Sequence, residues 1–168
     1  QQAFRNISLK LSDNLTLEEW NDLYKELVFW ELELEKIEDS GVADILAEQK
    51  AEANTRFGKN VIKNYQNWLN GKASEKPLFS HTILKEKLFP SFAAEKSVFL
   101  FVIDNLRYDQ WKTIQPYIND YYRVDNEELY YSILPTATQY ARNALFAGLM
   151  PLEISKKYPQ MWVNENEE

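Results

Sequence analysis

Ser97-Val98-Phe99-Leu100-Phe101-Val102-Ile103-Asp104-Asn105-Leu106-Arg107 is the stretch on which the reading turns. Six consecutive β-branched, aromatic or leucine side chains with no polar break describe a strand apolar on both faces, as in the middle of a parallel sheet. Downstream, Tyr108, Trp111, Ile114 and Ile118 recur at helical spacing and predict a helix from about Tyr108 to Ile118. Short strands are predicted near Tyr121–Val124 and Leu129–Leu134. A helix from about Gln139 to Ala147 follows, closed by Gly148. Strand, helix, strand, helix is the order of an α/β sheet. The second part of the chain, 97–168, therefore reads as the opening portion of an α/β domain with an incomplete parallel sheet.

Upstream the pattern is all helical. Thr16-Leu17-Glu18-Glu19 has the form of a capping box, in which threonine and glutamate each satisfy the other's free amide. Leu17, Trp20, Leu23, Tyr24, Leu27, Val28, Trp30, Leu34 and Ile37 then continue at helical spacing to about Glu38. Asp39-Ser40-Gly41 breaks the run, with Ser40 a candidate cap. A long helix is predicted from about Val42 to Leu69, with Ile45, Leu46, Ala53, Phe57, Val61, Ile62, Tyr65 and Trp68 on its apolar face and Asn70-Gly71 as its stop. Phe4, Ile7, Leu9 and Leu11 suggest a further helix before these. Residues 1–70 thus form a small bundle. Its aromatic-rich faces are wider than a hairpin alone buries, so a further helix or a second copy is the natural complement. Residues 71–96 read as a packed connector, with a short helix from about His81 to Leu88 ended by Pro90.

Composition excludes several function classes. Nineteen basic residues against 26 acidic ones give a net charge of −7, which argues against a broad nucleic-acid or anionic-membrane surface. The absence of cysteine rules out disulfides, thiolate zinc sites and cysteine nucleophiles, and fits a reducing, cytoplasmic setting. Val98–Ile103 is the longest apolar run, far below the roughly 20 residues of a membrane helix. The first residue is not methionine and no signal peptide precedes the bundle. The last residues, Asn164-Glu165-Asn166-Glu167-Glu168, close no element. Both ends read as cuts within a longer protein.

Ligands of open α/β sheets gather at the carboxyl ends of the strands, and two such ends carry polar groups here. One is Asp104-Asn105-Leu106-Arg107; the other is Pro135-Thr136-Ala137-Thr138, just ahead of a helix whose amino end favours a phosphate oxyanion. Each has a plainer reading as well. Asp104 and Thr138 are good helix caps, and Arg107 has Asp104 and Asp109 within reach for an ion pair. His81, the single histidine, lies in the connector and reads as structural.

The segment Val102-Ile103-Asp104-Asn105-Leu106-Arg107-Tyr108-Asp109, followed about thirty residues on by Leu134-Pro135-Thr136-Ala137-Thr138-Gln139-Tyr140-Ala141-Arg142-Asn143 and Gly148-Leu149-Met150-Pro151, resembles the start of a PglZ domain of the alkaline phosphatase superfamily. The second block is also similar to nucleotide pyrophosphatase/phosphodiesterases, in which a Pro-Thr-x-Thr turn presents the nucleophile. The resemblance implies Thr138 as nucleophile (Thr136 is the less favoured choice), Asp104 and Thr138 as metal ligands, and Asn143 and Arg107 as phosphoryl contacts. It implies two zinc ions in a complete enzyme and a phosphodiester or oligonucleotide substrate.

The preceding helices resemble the middle bundle of PorX-type response regulators, which link a receiver domain to a PglZ domain and are associated with type IX secretion. That resemblance implies a partner sensor kinase; the broad apolar faces of the bundle point to a homodimer formed through it, and the short apolar runs to no membrane association. The remaining His and Asp ligands of the family lie later in its sequences. The expectation is therefore a chain that is catalytically silent alone, which two tight zinc sites in a titration would refute. The alternative function is a non-catalytic relay or dimerisation module with a PglZ binding domain.

Overall fold

The computed structural model describes residues 2–12, 14–37, 40–94 and 97–162. They fall into two compact units, Gln1–Lys76 with Ile103–Glu127, and Pro77–Val102 with Glu128–Glu168.

The first unit is built from α1 (Gln2–Ser12), α2 (Leu17–Leu34), α3 (Ser40–Leu69) and, from further along the chain, a helix over Tyr108–Asn119. The capping box at the start of α2 forms as the sequence predicts. The Thr16 amide donates to Glu19 Oε2 at 2.8 Å, and the Glu19 amide donates to Thr16 Oγ1 at 3.2 Å. The first of these bonds holds the Glu19 carboxyl below the ordinary glutamate range.

Ile7, Leu11, Trp20, Leu23, Leu27, Leu46 and Ala53 form the core, one or two helical turns apart on each element. The contacts run antiparallel: Phe4 meets Trp30 and Lys10 pairs with Glu26, while Trp20 meets Phe57 and Lys50 pairs with Glu31. Gln49, itself buried, donates to the Phe4 carbonyl at 2.6 Å and to Ser8 Oγ at 2.8 Å, which sets α1 against α3.

Two bundle details differ from the sequence reading. Helix α2 ends at Leu34 rather than near Glu38, because Leu34 is the last side chain packed on the core and Ile37 is exposed. Glu38 and Asp39 lie outside the described residues. On α3, Ile45 and Ile62 also point outward, so the buried face is narrower than the apolar pattern. Helix α3 starts at Ser40, two residues before the predicted position, and stops at the predicted one: Gly71 takes a φ of +66°, which glycine adopts without the steric cost of a Cβ.

The second unit contains a π-helical turn at Leu84–Leu88, α4 (Ser91–Ala94), α6 (Thr138–Ala147), α7 (Pro151–Lys157) and a 3₁₀ turn at Pro159–Met161. The turn ends at Leu88, ahead of Pro90, as the sequence predicts, but it is π-helical and begins at Leu84 rather than near His81; α4 starts just after the proline. A parallel bridge joins Phe79 to Tyr131: the Ser80 amide donates to the Tyr131 carbonyl at 3.1 Å, and the Tyr131 amide donates to the Leu78 carbonyl at 2.7 Å. Ile133, Phe79 and Ser80 are buried around it.

The expected parallel sheet is not formed among the described residues. Residues 97–103 form no strand, and Phe99 and Phe101 are each 81 % exposed. The predicted strands at 121–124 and 129–134 reduce to the one bridge at Tyr131. The physical reason is that a strand's amides and carbonyls are satisfied only by neighbouring strands, and no described segment supplies them along this run. Hydrophobicity alone specifies that a segment is to be covered, not by what.

Candidate active site

Five residues were singled out by sequence, and they divide between the two units. Asp104 and Arg107 belong to the first; Thr136, Thr138 and Asn143 belong to the second.

Asp104 opens a turn directly after the apolar run, with an exposed side chain. Asn105, next to it, has a φ of +60°, a left-handed conformation that asparagine tolerates better than most residues. The turn leads into α5 (Tyr108–Asn119), where the predicted helix lies. Arg107 occupies the N-cap position, and its amide donates to Gln110 Oε1 at 3.0 Å. Its guanidinium grips Asp109, with Nε to Oδ1 at 3.0 Å and Nη2 to Oδ2 at 2.6 Å. Those hydrogen bonds hold the Asp109 carboxyl below its ordinary range and raise the Arg107 guanidinium above its own. Of the two plain pairings open to Arg107, the structure contains the one with Asp109.

At the second strand end, Leu134–Pro135 is cis and Thr136 is exposed. The N-cap position of α6 is Ala137, which has no side chain able to bond the first turn, so Thr138 is the first helical residue rather than the cap. Its hydroxyl stands exposed at a helix amino end that carries partial positive charge. Gly148 closes the helix in the left-handed conformation, φ +64°. Asn143 is exposed too. Five residues on from Thr138 it lies about 140° round the helix, so the two do not share a face. The residue that shares the face with Thr138, one turn on, is Arg142. His81 stacks on Phe79, ring centroids 5.8 Å apart, in the same unit as Thr138.

The first unit also contains a hub that nothing in the sequence marked. Glu127 accepts hydrogen bonds from the Tyr108 hydroxyl at 2.7 Å, the Trp111 indole at 3.0 Å and Lys112 Nζ at 3.3 Å, and Lys25 Nζ stands 3.9 Å away. Burial pushes the Glu127 carboxyl up, but the bonds from Tyr108, Trp111 and Lys112 outweigh it and leave it below the ordinary range. Burial and the bond to Glu127 push the Tyr108 phenol well above its ordinary value. In sequence Glu127 sits in Asp125-Asn126-Glu127-Glu128, an acidic stretch between the two predicted short strands.

Two family models match the chain. Residues 1–69 match the PorX response regulator linker domain. Residues 83–168, just over half of the chain, match the BREX system PglZ alkaline phosphatase-like domain. The chain belongs to the PglZ family. With the linker ahead of the PglZ sequence, it is a segment of a PorX-type regulator. No curated protein matches it.

The two matches do not coincide with the two compact units. Helix α5 is PglZ by sequence, yet it packs on linker helix α2, where Tyr24 and Tyr108 bring their rings to 5.8 Å. As a prospective zinc donor in the PglZ segment, Asp104 has the right chemistry, a carboxylate, on an exposed residue. Among the described residues, however, no group of three or more His, Cys, Asp or Glu side chains is placed to hold a metal. The PglZ residues described here fit zinc as contributors, not as a complete donor set.

Proposed function

We propose that this chain is the linker and the nucleophile-bearing part of a response regulator whose PglZ output domain is a zinc-dependent phosphodiesterase or related phosphoesterase. The observation that carries the reading is Thr138: an exposed hydroxyl on the first residue of α6, at a helix end with no side-chain cap, inside the PglZ match. A phosphate group docking there meets amides that no side chain of the N-cap residue occupies. Thr138 Oγ1 attacks phosphorus, forming a threonine–phosphorus ester as the bond to the leaving alkoxide or aryloxide breaks; water later cleaves that ester. In the complete domain Asp104 and Thr138 would be donors to zinc, together with further ligands. When bound, zinc supplies the positive charge that lowers the pKa of the threonine hydroxyl and neutralises the phosphoryl oxygens. Asn143, away from the Thr138 face, and Arg107, held by Asp109, have at most secondary phosphoryl roles.

The regulator acts in the cytoplasm under a sensor kinase, in control of type IX secretion, on a phosphodiester or oligonucleotide substrate. Its linker helices form a homodimer. What supports that last point is the set of apolar side chains that the bundle leaves outward, Phe29, Ile37 and Ile62 among them. If the domain is not an enzyme, the same surface suits the relay and dimerisation reading.

The test is hydrolysis of an aryl phosphodiester by the full-length protein with and without zinc. Turnover that requires zinc supports the enzyme reading. No turnover in the zinc-loaded protein removes it and leaves the PglZ segment as a binding or relay domain.

A further inference from the structure

We infer that Glu127 is a positioning residue: it clamps the first turn of α5 to linker helix α2 and thereby fixes the turn that carries Asp104. The inference rests on the proposed role of Asp104 as a metal ligand, and it deepens that reading. Tyr108, Trp111 and Lys112 are spaced i, i+3 and i+4, so they share one face at the amino end of α5. All three donate to the one carboxylate of Glu127, and Lys25 from α2 completes the cluster as an ion pair. A carboxylate has about four acceptor positions, and this set of donors comes close to using them.

The clamp is reinforced from both sides. Tyr24 of α2 meets the Tyr108 ring at a tilt of 43°, and Lys112 Nζ lies 5.7 Å from the centre of the Tyr108 ring. Asp104 is four residues upstream of Tyr108, and Asn105 between them holds a left-handed φ. Such a conformation persists where the flanking structure determines it, and the flanking structure on the downstream side is the clamped turn of α5. A shift of α2 therefore reaches Asp104 through Lys25 and Tyr24, Glu127 and Tyr108, and then the turn. Linker position and ligand position become one variable.

The test uses full-length protein carrying Glu127→Ala, with Glu127→Gln as the conservative variant. The first readout is amide hydrogen exchange. Exchange over 104–112 is expected to rise about tenfold or more in Glu127→Ala, with 138–147 unchanged. Glu127→Gln, which keeps an acceptor oxygen, is expected to recover most of the protection. The second readout is zinc affinity by chelator competition, expected to fall about 10- to 100-fold, as for other residues that orient a metal ligand.

Unchanged exchange over 104–112 overturns the inference. If exchange rises through 138–147 as well, Glu127→Gln decides: protection over 104–112 that returns with the acceptor oxygen supports the clamp, and a rise over 104–112 as large as in Glu127→Ala overturns it. A local rise in a protein whose wild type hydrolyses nothing still supports the clamp, and what fails then is the enzyme reading.

Discussion

Helix α2 and the run 98–103 draw on the same kinds of side chain, large aliphatics and aromatics, yet they end differently. In α2, Trp20, Leu23, Leu27 and Val28 are buried, while in the run Phe99, Leu100, Phe101, Val102 and Ile103 are exposed. A helix closes its own hydrogen bonds within four residues, so the linker needs only an apolar stripe to find a neighbour with another. A parallel strand closes none of its own. It waits on segments elsewhere in the sequence, and no described residue pairs with this one. The difference is one of range: the linker is specified locally, the PglZ sheet is not.

Substitutions sharpen that contrast. Leu23→Ala, at a site 1 % exposed, is expected to destabilise this chain by about 2–5 kcal/mol in urea unfolding, the cost of a cavity in a packed core. A smaller effect is expected from acid. The folded-state pKa of Glu127 is depressed, so its contribution is complete above the ordinary glutamate value, about pH 4.3, and drains away as the pH falls through the lower folded value. The melting temperature should therefore drop more steeply below that pH in the wild type than in Glu127→Gln; equal slopes would mean that the hub does not contribute. Least of all, Phe101→Ala should leave stability within about 0.5 kcal/mol. A Phe101 effect as large as that of Leu23 would break the comparison, since it would place the run in a core.

What could be read from the sequence follows the same division. The capping box at Thr16 and Glu19, the stop at Gly71, and the helices at 108–119 and 138–147 with their Gly148 closure are all local signals, and all are in the structure. The boundary of α2 was less legible, because its end depends on where tertiary packing stops, at Leu34. The bridge between Phe79 and Tyr131 and the hub at Glu127 join residues far apart in sequence, so no window of residues announces them. At the candidate site the residue types were legible and their arrangement was not. Thr138 reads as a cap but is the first helical residue, and of the two partners that the sequence offers Arg107, Asp104 and Asp109, the structure has Asp109.

The most direct measurement compares wild type, Thr138→Ala and Thr136→Ala as full-length, zinc-loaded proteins on one aryl phosphodiester. With Thr138 as nucleophile, kcat falls about a thousandfold or more in Thr138→Ala and stays within about tenfold of wild type in Thr136→Ala. Wild-type turnover in Thr138→Ala would contradict the assignment, and Thr138 would then be no more than the first residue of α6.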